Sequence, residues 1–218
     1  MLFEDVTESA GLPLDVHGLG VSVGDLNGDR RPDVFVSGSN RLFIANGDRF
    51  TEVETDVFEW EIFGDEDTVA GVDIANLDLD LDLDGRMDLV VGHHYNSTIA
   101  FGTEVSVRLY LNRSDDREIR FIDATDAAGL IPLPTKAPHV EFADMNNDGW
   151  LDIVTSASAN DGTLPAVFFG TGIADGVPQF DAPAELGSDQ YWVAAPTAGY
   201  KRDGRLDVFL VEWEPGLP

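Results

Sequence analysis

The chain has 218 residues, with 41 Asp and Glu against 13 Lys and Arg, a net charge of −28 and no cysteine. Disulfides, thiol catalysis and thiolate metal sites are therefore excluded, and nucleic-acid or anionic-membrane binding is disfavoured because both need clustered cations. With 43% hydrophobic residues the chain can bury a core, yet no apolar run reaches the ~18–20 residues of a membrane span, and the opening Met1–Val6 has neither the basic nor the apolar region of a signal peptide.

In chain order, the first element is Phe3–Leu12, which aligns with Phe121–Leu130 at Phe, Asp, Thr, Ala, Gly and Leu. It reads as an outer strand, residues 2–12, of an incomplete blade. A small alternating segment follows, Gly20–Gly24, then the acidic loop Asp25–Asp33, then the apolar run Val34–Val36 and further runs at Arg41–Ile44 and Phe50–Val53. The same anatomy returns three times. The second unit has a lead-in at Ala70–Ile74, a loop at Asp80–Asp88 and runs at Leu89–Val91, Val107–Leu111 and Phe121–Ala124. The third has His139–Ala143, the loop Asp144–Asp152, Ile153–Val154, Ala166–Phe169 and Phe180–Ala182. The fourth has Val193–Thr197, the loop Gly199–Asp207 and Val208–Leu210, with nothing after it that supplies a third strand.

The loops begin at 25, 80, 144 and 199, so they recur every 55 to 64 residues. Gly, Asn and Asp clusters separate the runs, and no stretch carries a capped helical period. Four short strands per unit, repeated around an axis, describe an all-β fold of β-propeller blades, each of four antiparallel strands. One domain over 1–218 is expected, with repeats at 13–56, 66–130, 137–186 and 190–218. The unpaired edge at Leu206–Val211 invites strand addition from a neighbour.

The acidic loops carry the chemistry. Asp supplies 28 of the 41 acids, a bias that suits a hard cation bound through oxygen. Side chains at positions one, three, five and nine and the carbonyl at position seven converge on one centre, while Gly at position six permits a sharp turn. The first loop offers Asp25, Asn27, Asp29, Arg31 and Asp33; the second Asp80, Asp82, Asp84, Arg86 and Asp88; the third Asp144, Asn146, Asp148, Trp150 and Asp152. The arginines and the tryptophan contribute only a backbone carbonyl. The fourth loop has Gly199 at position one and Lys201 at position three, whose ammonium pairs with Asp203 and Asp207, so it is expected to be metal-free. About three calcium sites are thus expected. The loops hold 12 of the acids, and three Ca²⁺ would move the charge only to −22, so the remaining excess belongs to the surface.

The pattern D-x-[DN]-x-D-G-x-x-D before an apolar strand resembles the FG-GAP/VCBS repeats of integrin-α-type propellers. The phrases Phe3–Leu12, Gly24–Asp29 and Trp213–Pro218 resemble the ASPIC/UnbV and cartilage-acidic-protein branch. That resemblance implies a seven-bladed secreted or surface propeller with calcium at the loops and extracellular recognition as its role. This chain holds about four units, a partial propeller or a fragment of a larger ring.

Gly20–Gly24 matches G-x-S-x-G but leads into an acidic β-loop rather than a strand–helix elbow, so Ser22 reads as packed strand. His93 and His94 are adjacent on a strand and point to opposite faces. Trp60, Tyr95, Trp150, Tyr191, Trp192 and Trp213 fit packing between blades better than a sugar platform. Asn96–Thr98 and Asn112–Ser114 match the glycosylation sequon. The expected function is a calcium-stabilised extracellular or cell-surface binding or structural module, not an enzyme, with a protein or glycan partner. The periplasm also suits it. A glycan-binding propeller, a polysaccharide lyase and a self-assembling surface subunit are the alternatives.

Overall fold

A computed structural model describes residues 3–16, 18, 20–37, 39–55, 57–58, 74–92, 107–115, 118–130, 140–155, 166–186, 192–194 and 196–212, with backbone alone for 74–78, 192–194 and 212. The described residues contain strands and turns and no helix. Blade 1 is a four-stranded antiparallel sheet in the order β1 (Gly20–Gly24), β2 (Asp33–Ser37), β3 (Arg41–Asn46), β4 (Arg49–Val53). Blade 2 repeats it with β5 (Ile74–Leu79), β6 (Asp88–Gly92), β7 (Arg108–Asn112) and β8 (Phe121–Asp123). Each acidic loop joins the first strand of a blade to the second.

Blade 3 has β9 (Val140–Ala143), β10 (Asp152–Thr155) and β11 (Ala166–Phe168). Its outer edge differs from expectation. Gly170–Ala174 (β12) and Val177–Phe180 (β13) form a separate hairpin, and the strand beside β11 is Ala184–Glu185 (β14), not Phe180–Ala182. The cause lies at Asp175 and Gly176, whose φ angles of 52° and 75° make the tight turn that an Asp-Gly pair favours. In blade 4, β15 (Trp192–Ala194) pairs with β18 (Val211–Glu212) and β16 (Thr197–Ala198) with β17 (Asp207–Val208), two strand lines in all among the described residues.

Two further expectations are corrected. The lead-in of blade 2 is Ile74–Leu79, the segment that abuts the loop; residues 70–73 lie outside the described residues. A register shift between Asn76 and Leu79 lets this strand reach Asp88. Phe3–Leu12 is not a strand: residues 3–6 are irregular and 7–11 form a turn. Its counterpart Phe121 is 6% exposed because β8 pairs with β7, whereas Phe3, with no strand beside it among the described residues, is 94% exposed. The turn itself is used. Ala10 accepts the Phe50 N–H at 2.7 Å, as Ala128 accepts the Phe180 N–H at 3.0 Å. Gly11 and Gly129 have φ of 82°, and a Cβ there would lie 2.8 and 2.9 Å from the carbonyl oxygens of Phe50 and Phe180. The shared Ala-Gly-Leu turn thus clamps, in each copy, onto the outer hairpin of the blade that follows it.

Alternation along each strand builds the core between blades. Phe35 and Leu42 of blade 1 meet Leu89, Val91, Tyr110 and Phe121 of blade 2. Phe58 sits at the centre, its ring centroid 5.3 Å from Phe35, 5.0 Å from Tyr110 and 5.4 Å from Phe121. Between blades 2 and 3, Val90, Leu109 and Leu111 meet Ile153 and Phe168. Val154 and Val167 of blade 3 then meet Val208 and Leu210 of blade 4. Full burial of each such side chain contributes on the order of 1.5–3 kcal/mol.

Candidate metal centre

All four loops share one backbone. Position four has positive φ in each (Gly28 79°, Leu83 60°, Asn147 60°, Arg202 53°), and so does position six (Arg30 68°, Gly85 89°, Gly149 93°, Gly204 84°). Position-one carboxylates hold this turn through N–H donors of the loop. Asp25 accepts from Gly28, Asp29 and Arg30; Asp80 from Asp84 and Gly85; Asp144 from Asp148 and Gly149, at 2.8–3.1 Å. Position three does the same more locally: Asn27, Asp82 and Asn146 accept the N–H of Asp29, Asp84 and Asp148. The position-seven residues Arg31, Arg86 and Trp150 donate their N–H to the position-five carboxylates Asp29, Asp84 and Asp148.

The position-nine aspartates have a second task that spacing alone did not reveal. Asp33, Asp88 and Asp152 are fully buried. Asp33 accepts from Leu26 N and Ala45 N, Asp88 from Leu81 N and Asn112 N, and Asp152 from Met145 N and Gly170 N, all at 2.7–2.9 Å. Asp33 and Asp88 thus tie their loops to the end of the third strand, and Asp152 ties its loop to the start of β12, just past that strand. Burial pushes all three above the ordinary carboxylate range, against the pull of those N–H donors; the neighbouring loop carboxylates add to the rise. Asp88 is raised to about 7.

The structure brings Asp80, Asp82 and Asp88 together, with one ligand oxygen from each lying within 4.8 Å of the others. Oxygen donors converging from one loop, two of them buried and Asp88 unfavourable as a bare anion, fit a hard divalent cation. In the first and third loops, Asn27 and Asn146 place an amide oxygen where Asp82 stands. Asp84 lies outside that group: its Oδ2 accepts from Arg86 Nη1 at 2.6 Å and from Arg113 Nη1 at 3.1 Å. Lys201 in the fourth loop bonds Asp207 through its ammonium, which raises the lysine and lowers the aspartate; of the two expected partners, Asp203 instead accepts the Arg205 N–H.

A family model for the FG-GAP-like repeat matches residues 25–91 and 80–155, more than half of the chain. The chain belongs to the FG-GAP-like repeat family. No curated protein matches it. FG-GAP-like repeats suit extracellular adhesion or recognition modules, and no described helix is long and apolar enough to cross a membrane.

The remaining sequence motifs divide cleanly. Ser22 is buried in mid-strand opposite Phe35, away from any elbow. Asn112 of the second sequon is also fully buried; its amide donates to Leu26 O at 2.8 Å and Met87 O at 3.0 Å, so it is a strut and not a glycan acceptor in the folded chain. His17, Trp60, His93, His94, Tyr95, Asn96, Tyr191 and Trp213 lie outside the described residues.

Proposed function

We propose that this chain is a calcium-stabilised binding or structural module that works outside the cytoplasm. The convergence of Asp80, Asp82 and Asp88 carries the reading, repeated in outline by the two Asp/Asn loops on the same backbone. Asp25, Asn27, Asp29 and Asp33 would hold one ion, Asp80, Asp82 and Asp88 a second with Asp84 once it is released from its arginines, and Asp144, Asn146, Asp148 and Asp152 a third. The ion supplies charge neutralisation and binds only the folded loop, so it stabilises by mass action. Millimolar extracellular calcium suits such weak sites. Thermal melting in calcium and in EGTA tests it: a rise with calcium is expected, and an unmoved melting point contradicts it.

Within the family, the Phe3–Leu12, Gly24–Asp29 and Trp213–Pro218 phrases favour the ASPIC/UnbV and cartilage-acidic branch, with a protein or glycan partner at a surface. The module binds and does not catalyse; cleavage of acidic polysaccharide would overturn that. Glycan recognition draws support from a cleft in blade 3 lined by Asn146, Asp148, Trp150, Thr171 and Asp181, an aromatic face beside oxygen donors. A glycan array tests it. Self-association draws support from Phe209. Its counterparts Phe35, Val90 and Val154 are fully buried, whereas Phe209 is 54% exposed. Light scattering with Phe209→Asp as control tests that surface.

A further inference from the structure

The third strand of blade 2 ends at Asn112 and Arg113 follows it, at positions where blade 1 has Ala45-Asn46 and blade 3 has Gly170-Thr171. Asn112 reaches back to Leu26 O in the loop of blade 1. Arg113 reaches forward. Its Nη2 donates to Asp82 Oδ2 at 2.6 Å and to Gly176 O at 3.1 Å, and its Nη1 to Asp84 Oδ2 at 3.1 Å and Asn112 O at 3.0 Å. One guanidinium therefore spans two carboxylates of the second acidic loop and the turn of the β12–β13 hairpin on blade 3. The forked donors of arginine suit such bridging, and the Asp82 side chain is almost fully buried beneath it.

The chemistry of the loops matches this placement. The first and third loops carry Asn at position three and no arginine at the Arg113 position; the second carries Asp82 and Arg113 together. The fourth carries the cation inside the loop, as Lys201 on Asp207. The extra acid of the second loop thus comes with its own cation. Asp84 lies outside the group formed by Asp80, Asp82 and Asp88, and its Oδ2 is held by Arg86 and Arg113.

We propose that Arg113 is a built-in counter-cation that competes with calcium for the second loop and, when not displaced, latches blade 2 to the hairpin of blade 3. This deepens the reading of the loops as calcium sites and rests on it. The loop with the most carboxylates is then the weakest calcium site, because an ion there must recover Asp84 and share Asp82 with a guanidinium that repels it. Filling that loop releases the Gly176 contact, so calcium is coupled to the junction between blades 2 and 3 and not only to loop stability.

Calorimetric titration of calcium into the full chain tests this, with Arg113→Gln and Arg113→Lys as variants. The wild type should bind one ion more weakly than the others. Arg113→Gln should tighten that ion by about tenfold or more, as expected when a cation at contact distance is removed, and leave the other sites unchanged. Arg113→Lys, which keeps the charge without the fork, should fall between. Unchanged or weakened binding in Arg113→Gln overturns the competition. The latch has its own readout without calcium. In EGTA, Arg113→Gln should lower the melting point and speed amide hydrogen exchange across the β12–β13 hairpin, the coupling expected of a link to Gly176 O; unchanged hairpin exchange overturns the latch. If no variant binds calcium while this coupling persists, the calcium reading falls, the competition with it, and the interblade latch stands alone.

Discussion

Position six of the loops offers a sharp test of the backbone geometry. Gly85, Gly149 and Gly204 have φ between 84° and 93°, and Arg30 takes the same place in the first loop at 68°. A side chain in the left-handed region costs roughly 1–2 kcal/mol, and the greater unfolded freedom of glycine returns roughly 0.5–1 kcal/mol of that. Replacing Arg30 by both Ala and Gly separates charge from conformation, since the side chain is exposed and the N–H that bonds Asp25 Oδ2 at 2.8 Å is kept. Arg30→Gly should be more stable than Arg30→Ala by about 1 kcal/mol, or about 2–4 °C in melting point at this chain length. The reverse change checks the same quantity. A Cβ on Gly149 would meet nothing within 4 Å, so Gly149→Ala should cost about 1 kcal/mol for its backbone alone. Gly129→Ala should cost more, because its Cβ would also press on Phe180 O at 2.9 Å. Equilibrium urea unfolding in EGTA reads all four without ion binding. Arg30→Ala matching or exceeding Arg30→Gly would refute a left-handed position six.

Three further outcomes are expected. Asp84→Ala should lose more melting temperature in calcium than Asp203→Ala, since only the former lies in a loop without an internal lysine on its position-nine carboxylate; equal losses would contradict the order. Asn112→Ala should cost about 2–4 kcal/mol in urea unfolding, from one unsatisfied N–H at Ser114 and two carbonyls that lose their donor. Glu52 pairs with Arg41 through two 2.6 Å bonds, which hold its carboxyl below the ordinary value. Its folded value is the lower one, so the pair's contribution is present above the unfolded value and is lost as pH falls through the folded value. A carbon-detected NMR titration should place Glu52 below the usual ~4.3, and Arg41→Gln should return it upward.

The repeat was legible because its chemistry is local. Carboxylates two residues apart, followed by an apolar run, mark a loop and the strand after it, and four in-phase copies set the blades. Asp33, Asp88 and Asp152 were legible as loop members but not as staples, since the N–H groups they also accept, from Ala45, Asn112 and Gly170, lie 12 to 24 residues away. Arg113 was invisible for the same reason: Asp82, Asp84 and Gly176 are 31, 29 and 63 residues distant. Asp175-Gly176 was a readable hairpin signal that displaced the outer strand of blade 3 to Ala184–Glu185. Phe3–Leu12 copies the sequence of an outer strand, but a strand also needs a neighbour to bond, and sequence identity does not provide one.

Calcium stoichiometry on the full chain, measured by equilibrium dialysis with melting points taken on the same samples, tests the central claim most directly. Three ions per chain are expected, with the melting point rising as they bind and no site contributed by the Gly199–Asp207 loop. A chain that binds no calcium at millimolar concentration and melts identically in EGTA would contradict it.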